Sequence, residues 1–154
     1  MLVAGAQVSA VSSTPFGLML DKLLKHSVSE TSVSRCKNFG TNTVFLDARE
    51  SNEFAISHIE NALNIGFDHF SLQNVKKIPK NAHIIVYCSV GYRSEKIAEQ
   101  LIKNGFSNVE NLVGGIFEWS NQGLPLYDAK GKTNSVHTYN SVWSIWLKKG
   151  QKVY

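Results

Sequence analysis

Cys88 and Arg93 lie in the segment Cys-Ser-Val-Gly-Tyr-Arg-Ser, residues 88–94, whose residue types suit nucleophilic chemistry. A cysteine thiolate is a strong nucleophile, and a guanidinium can pair with an oxyanion such as a sulfonate or phosphate through two hydrogen bonds. Gly91 supplies the backbone freedom that a short curled loop requires, and inward-pointing amides of such a loop form an anion-binding nest. We therefore predict Cys88 as the nucleophile. The predicted binding residues are Ser89, Val90, Gly91, Tyr92, Arg93 and Ser94.

The flanking residues predict that this segment joins a buried strand to a helix. The nearly all-apolar run His83–Tyr87 is typical of a strand covered on both faces, in the middle of a sheet. Ser94–Asn104 places apolar side chains on one face, and Gly105 follows as a stop signal. Open α/β sheets bind ligands at the carboxyl ends of their strands, and the positive end of a helix favours a thiolate.

Elsewhere, short apolar runs alternate with helical patterns, which predicts an α/β fold with a parallel sheet. Runs rich in β-branched and aromatic residues predict strands at Thr43–Leu46, Ala62–Ile65, His83–Tyr87 and Val109–Val113. Further helices are predicted at Gly17–Lys25, Ser51–Ser57, Phe70–Val75 and Ile116–Asn121.

Beyond Pro125 the sequence predicts a polar linker and then a helix over Ser141–Lys149, with Asn140 as its cap. Three apolar side chains of this helix share a face, namely Val142, Ile145 and Trp146. We expect this face to dock against the domain, with a membrane surface or a partner protein as the alternative.

Composition limits the possible functions of the chain. Its 154 residues, 43% of them hydrophobic, fit one domain with a core of its own, and no apolar run is long enough to span a membrane. The net charge of +4 comes from scattered lysines, which favours a small anionic substrate over nucleic acid. Two cysteines predict neither a disulfide framework nor a metal site. Ala4–Gln7 is compatible with a trimmed export signal, hence a periplasmic protein, and equally with a cytoplasmic chain.

Three groups of residues resemble the single-domain rhodaneses. The first is Cys88-x-x-Gly91-x-Arg93-Ser94, which is similar to their active-site loop. The second runs upstream through Leu46-Asp47-Ala48-Arg49-Glu50, Glu53-Phe54, Ser57-His58-Ile59, Ala62 and Asn64-Ile65. The third runs downstream through Leu112-Val113-Gly114-Gly115-Ile116, Trp119 and Gly123-Leu124-Pro125. The resemblance extends from about Val44 to Pro125, and Ser57 departs from it because the family usually has glycine there.

The resemblance implies a three-layer α/β/α fold with a mostly parallel five-stranded sheet. We expect the domain at residues 16–128, between an N-terminal segment at 1–15 and a C-terminal linker and helix at 129–154. The implied activity is sulfur transfer, in which Cys88 takes sulfur from a donor such as thiosulfate as a persulfide. The expected partners are a small anionic donor and a cyanide or thiol acceptor, including a sulfur-relay protein, with no metal or cofactor. We expect a monomer.

Four residues outside the loop are expected to support it. Asp47 follows a strand and can bond loop groups or a basic side chain, while Arg49 and Glu53 can form an ion pair around it. For His58 we favour a role in tying a turn to the sheet over a role as general base. Cys36 is expected to be structural, with a resolving thiol as the alternative.

Two other functions fit parts of the pattern. Cysteine-dependent phosphatases and arsenate reductases resemble this strand, cysteine loop and helix, but their loops have five residues between cysteine and arginine. Here four residues, Ser89–Tyr92, separate Cys88 from Arg93, and the smaller ring favours a single sulfur atom. A non-catalytic binding module of the same fold is disfavoured because Cys88 is retained.

Overall fold

The centre of the protein is a sheet of five parallel strands. The structure is a computed structural model and describes residues 10–154, so the possible export signal at Ala4–Gln7 lies outside the described residues. The strands are β1 (Glu30–Thr31), β2 (Val44–Asp47), β3 (Leu63–Asn64), β4 (Ile84–Tyr87) and β5 (Val109–Leu112). Their order is β1-β5-β4-β2-β3, which places the fully buried β4 in the middle, as predicted.

Helices cover both faces of this sheet. Successive side chains of β4 point to opposite faces, so its apolar residues contribute to two separate cores. Ile85 and Tyr87 belong to one core, and Ile84 and Val86 belong to the other. The first core receives α1 (Thr14–Leu23), α2 (Val33–Cys36) and α5 (Gly115–Asn121). The second receives α4 (Tyr92–Lys103) and the 3-10 turn Leu72–Val75, while α3 (Ser51–Ile56) follows β2. The predicted α/β fold with a mostly parallel five-stranded sheet is confirmed.

The helix after the cysteine loop begins at Tyr92, two residues earlier than the sequence pattern predicts. Gly91 immediately precedes it and has a φ of 131°, a conformation that glycine adopts and side-chain-bearing residues rarely do. The chain therefore turns within the loop, and α4 starts only four residues after Cys88.

The C-terminal segment differs from the linker and helix predicted at 129–154. A hairpin of β6 (Leu126–Asp128) and β7 (Gly131–Thr133) precedes a parallel pair of β8 (Ser135–His137) and β9 (Gln151–Val153). Instead of a helix over Ser141–Lys149 there is one 3-10 turn, Trp143–Trp146, whose first amide hydrogen-bonds Asn140 as the capping prediction requires.

Packing and side-chain hydrogen bonds explain why this helix does not form. The side chain of Asn121 donates to the carbonyl of Trp146 and accepts from the next amides of the chain, at Lys148 and Lys149. The Trp146 ring stacks on Phe16, with ring centroids 5.4 Å apart. These contacts extend the backbone where helix propagation would need it coiled, and β-branched and aromatic residues favour helices only weakly.

None of the helices within residues 10–154 is both long enough and apolar enough to cross a membrane.

Candidate functional site

Cys88 directly follows β4, and the loop leading to α4 encloses its thiol. The residue is only 1% exposed. The Gly91 N–H donates to the sulfur at 3.1 Å, and the Ser94 hydroxyl lies 3.4 Å from it. That hydroxyl has a single proton and lies 2.6 Å from the amide oxygen of Asn111, so it donates to Asn111. The Gly91 amide is thus the closest donor to the sulfur, beside the positive end of α4.

The turn that starts α5 holds the cysteine loop in place. Three loop carbonyls accept its amides, namely Val90 from Gly114 (2.9 Å), Cys88 from Ile116 (3.0 Å) and Ser89 from Phe117 (3.2 Å). Gly115 has a φ of 56°, and a Cβ there would lie 2.4 Å from the Cys88 carbonyl oxygen. The Gly114-Gly115 pair therefore permits a tight turn and also lets that turn contact the loop backbone directly.

Arg93 is held by a carboxylate of the chain itself. Its two terminal nitrogens donate to both oxygens of Glu53, at 2.8 and 2.9 Å, and one of them also donates to the Ser89 hydroxyl at 3.1 Å. Burial disfavours the charged form of both side chains, but the interaction between them outweighs this effect. The pKa of Arg93 is therefore raised, and the pKa of Glu53 lowered, from their ordinary values. The predicted binding of an oxyanion by Arg93 would therefore have to compete with Glu53.

A second ion pair, between Arg49 and Asp47, is fully buried. Arg49 is fully buried and donates from Nε and Nη2 to the two oxygens of Asp47, at 3.0 and 2.6 Å. Its Nη2 also donates to the Ser57 carbonyl, at 2.7 Å. Because Asp47 binds Arg49, Glu53 pairs with Arg93, which differs from the expected pairing of Arg49 with Glu53. The hydrogen bond between these two residues runs from Nη1 of Arg49 to the backbone carbonyl of Glu53, at 3.4 Å, and their charges interact without a direct ion pair.

The contacts of His58 and Cys36 are those of structural residues. His58 hydrogen-bonds the Phe54 carbonyl through Nδ1 at 2.9 Å, stacks on the Phe54 ring, and pairs its backbone with Tyr127. Cys36 lies in α2 within the core on the opposite face of the sheet from Cys88. Burial, aided by the charge of Glu110, raises the pKa of its thiol to about 12, which disfavours nucleophilic chemistry there.

Asn111 belongs to the site although sequence reasoning did not single it out. It is fully buried in β5, accepts the Ser94 hydroxyl, and donates to the Gly91 carbonyl at 3.0 Å. It thus supports the residue whose amide reaches the sulfur and the start of α4. An asparagine inside a buried, otherwise largely apolar strand was the available signal.

A cleft of about 310 Å³ opens onto the cysteine loop. The loop contributes Cys88, Ser89 and Val90, and the first turn of α4 contributes Tyr92 and Arg93. The opposite walls come from residues that sequence reasoning did not assign to a site, namely Glu50, Phe67, Asp68, Tyr139 and Trp143. The last two lie in the C-terminal segment, so the tail forms part of the site.

Solved structures with related folds extend beyond the region of sequence resemblance. A Bacillus halodurans protein superposes with a TM-score of 0.61 at 23% identity, covering 76% of this chain and 86% of its own. A rhodanese-related protein from Thermoplasma volcanium gives 0.56 at 26% identity, covering 64% and 96%. The thiosulfate sulfurtransferase of Pseudomonas aeruginosa gives 0.52 at 30% identity, covering 56% of this chain and 17% of that chain.

Sequence comparison gives a concordant result. A curated relative, the tRNA uridine(34) hydroxylase of Yersinia pestis, is 37% identical over 93 residues. The match covers 54% of this chain and 26% of the hydroxylase, so the chain spans about a quarter of that relative. The family model for the rhodanese-like domain matches residues 35–122, more than half of the chain and all of the cysteine loop. With the parallel five-stranded sheet also in agreement, this chain belongs to the rhodanese-like domain family.

Proposed function

We propose that the protein is a sulfurtransferase that carries a sulfane sulfur on Cys88 as a persulfide. The observation that carries the proposal is the enclosed thiol at the end of the central strand, with the Gly91 N–H 3.1 Å from its sulfur and a cleft opening onto it. A thiolate placed there has a donor for its charge and a route to substrate.

The chemistry is a double displacement. The Cys88 thiolate attacks the outer sulfur of the donor, and the bond between the two donor sulfurs breaks. With thiosulfate as donor, sulfite leaves with the electron pair and Cys88 becomes a persulfide. An acceptor thiolate or cyanide then attacks the terminal sulfur, and Cys88 leaves as a thiolate. No external oxidant or reductant is required, because the sulfane sulfur is passed on at its own oxidation level.

The relatives support this proposal to different extents. A structural neighbour is a thiosulfate sulfurtransferase, 30% identical to this chain. The tRNA uridine(34) hydroxylases share only about a quarter of their length with it, so they support the architecture of the loop and not an action on tRNA. The four-residue spacing between Cys88 and Arg93 favours sulfur over phosphate as the group transferred.

The test is turnover by variants of the two cysteines. With thiosulfate or inorganic polysulfide as donor and cyanide as acceptor, Cys88→Ser should form no thiocyanate above background, since the hydroxyl forms no persulfide. Cys36→Ser is the matched control and should keep most of the activity. Aryl phosphate should not be turned over. Activity in Cys88→Ser, or phosphatase activity in the wild type, would contradict the proposal.

A further inference from the structure

The cleft is larger and more aromatic than an inorganic sulfur donor requires. Its 310 Å³ is about the lower limit of pockets that bind small organic ligands, roughly ten times the volume occupied by one water molecule. Four aromatic rings line it, from Phe67, Tyr92, Tyr139 and Trp143. The faces of these rings stabilise an apolar or cationic body, and only the tyrosine hydroxyls and the indole N–H at their edges can donate hydrogen bonds to an oxyanion.

The charges around the cleft disfavour an anion. Arg93 is the cation in the lining, and both of its terminal nitrogens are bonded to Glu53. Glu50 and Asp68 add two more carboxylates to the lining. The Glu50 carboxylate accepts the amides of Phe67 and Asp68, which fixes it beside the cleft. Among the residues that line the cleft, together with Glu53, one cation is therefore set against three carboxylates, and the Lys96 ammonium lies outside the lining, 4.8 Å from the centroid of the Tyr92 ring. A dianion would enter against this field, while a cation or a neutral molecule would not.

The tail is held so that its aromatic side chains reach the site. Tyr139 has a φ of 69°, a left-handed conformation uncommon for a residue with a side chain. Its amide donates to His137 Nδ1 at 3.0 Å, which helps to hold this turn, and the Arg93 guanidinium lies 5.4 Å from its ring centroid. Trp143 follows in the 3-10 turn, which is fastened to α5 through Asn121 and Trp146.

We infer that this cleft selects an organic thiol, or its persulfide, whose body carries no negative charge apart from the reacting sulfur and packs against Tyr139 and Trp143. The inference rests on the proposed function, because it names the class of molecule that exchanges sulfur with Cys88. In the transfer step the thiolate sulfur of this molecule attacks the terminal sulfur of the Cys88 persulfide. A new sulfur–sulfur bond forms, the persulfide bond breaks, and Cys88 keeps the electron pair.

The selectivity of the cleft is tested by measuring how fast the unmodified Cys88 thiol reacts with methanethiosulfonates. These reagents transfer their thiol half to Cys88 and release methanesulfinate. The probes are the cationic 2-aminoethyl, the anionic 2-sulfonatoethyl and the neutral benzyl reagents. For each protein variant, the rate constant of a probe is divided by the rate constant of the methyl reagent. The resulting ratio is then divided by the same ratio measured for a free thiol in solution. This removes differences in thiol ionisation and intrinsic reactivity. Peptide mass spectrometry separates adducts on Cys88 from those on Cys36.

We expect the aminoethyl reagent to react about tenfold faster than the sulfonatoethyl reagent after this correction. Asp68→Asn should reduce this ratio of the aminoethyl rate to the sulfonatoethyl rate by about half or more. Glu60→Gln, at an exposed site outside the cleft, should leave the ratio unchanged. Trp143→Ala should slow the benzyl reagent about threefold or more. Ile145→Ala removes an exposed side chain of the same turn and should change none of these rates.

An anionic reagent that reacts as fast as the cationic one would overturn the inference. A benzyl rate that is unchanged or higher in Trp143→Ala would also overturn it, because Trp143 would then not bind the organic body. These measurements need no persulfide. A protein that forms no persulfide contradicts the proposed function even if the cleft is selective, and an unselective cleft contradicts only the inference.

Discussion

The environment of the Cys88 sulfur depends on residues that do not line the cleft, namely Gly91, Asn111 and Glu53, as well as on Ser89 and Arg93, which do. The Gly91 amide reaches it, Asn111 holds the Gly91 carbonyl, and the pairing of Glu53 with Arg93 braces the loop through Ser89. Gly91, Asn111 and Glu53 are buried and Arg93 is half-buried, so the loss of one of these hydrogen bonds removes a partner that water replaces poorly. Residue-scale changes should therefore alter both reactivity and stability.

Asn111 is predicted to position the cysteine loop. Asn111→Ala removes one of the two hydrogen bonds at the Gly91 carbonyl, which keeps the Glu95 amide, and leaves the Ser94 hydroxyl with only the Cys88 sulfur nearby. It should lower the unfolding free energy by about 1–3 kcal/mol. We expect sulfur transfer and alkylation of Cys88 by iodoacetamide to slow about tenfold, because the Gly91 amide is no longer held at the sulfur. Asn52→Ala, at an exposed position of α3, is the control. Destabilisation with normal alkylation in the folded variant would contradict a positioning role.

The pairing of Glu53 with Arg93 predicts a pH-dependent stability. The pKa of Glu53 is lower in the folded protein than its ordinary value of 4.5. Its ionisation therefore stabilises the fold above pH 4.5, and this contribution is lost as the pH falls through the lower, folded-state pKa. In urea unfolding at neutral pH, Glu53→Gln should be less stable than the wild type by about 1.5–3 kcal/mol.

The difference between wild type and Glu53→Gln should shrink as the pH falls below 4.5. Glu60→Gln provides the matched control at an exposed site and should track the wild type throughout. A difference that stays constant down to acid pH would show that the ionised carboxylate is not what stabilises the loop.

Among the secondary-structure elements, the periodicity of apolar residues predicted those whose side chains are buried in the core. The strands β2, β4 and β5 and the helix α4 follow from apolar runs and an amphipathic face. The edge strand β1, at Glu30–Thr31, has two residues and leaves no such pattern. The prediction of a helix in the C-terminal tail was wrong because Asn121 and Phe16, which hold its 3-10 turn, lie far away in sequence. Local pattern carries no information about such contacts.

Contacts between elements also explain why Gly115 is required. A Cβ at this position would lie 2.4 and 2.6 Å from the carbonyl oxygens of Cys88 and Ser89, and its φ of 56° is unfavourable for alanine. Gly115→Ala should therefore push α5 from the cysteine loop, with a loss of about 2–4 kcal/mol in stability and most of the sulfur transfer. Gly40→Ala, where a Cβ meets open space, is the control. Wild-type activity in Gly115→Ala would contradict the close packing of the two turns.

Across the whole molecule, the site is assembled from segments far apart in the chain. The cysteine loop and its supports lie within the matched residues 35–122, and this part of the site was largely predictable from sequence. Tyr139 and Trp143 lie beyond them and complete the cleft. The family's architecture thus positions Cys88, the proposed nucleophile, while the tail of this chain supplies a wall of the cleft, to which we assign the selection of the partner molecule.

Whether Cys88 carries sulfur can be measured by mass spectrometry of the wild-type protein after incubation with inorganic polysulfide or thiosulfate. We expect a mass increase of one sulfur atom, located on the peptide that contains Cys88 and removed by a thiol or by cyanide. Cys36→Ser should acquire the same adduct, and Cys88→Ser should acquire none. A sulfur adduct confined to Cys36, or no adduct with either donor on a folded protein, would show that Cys88 is not the sulfur carrier.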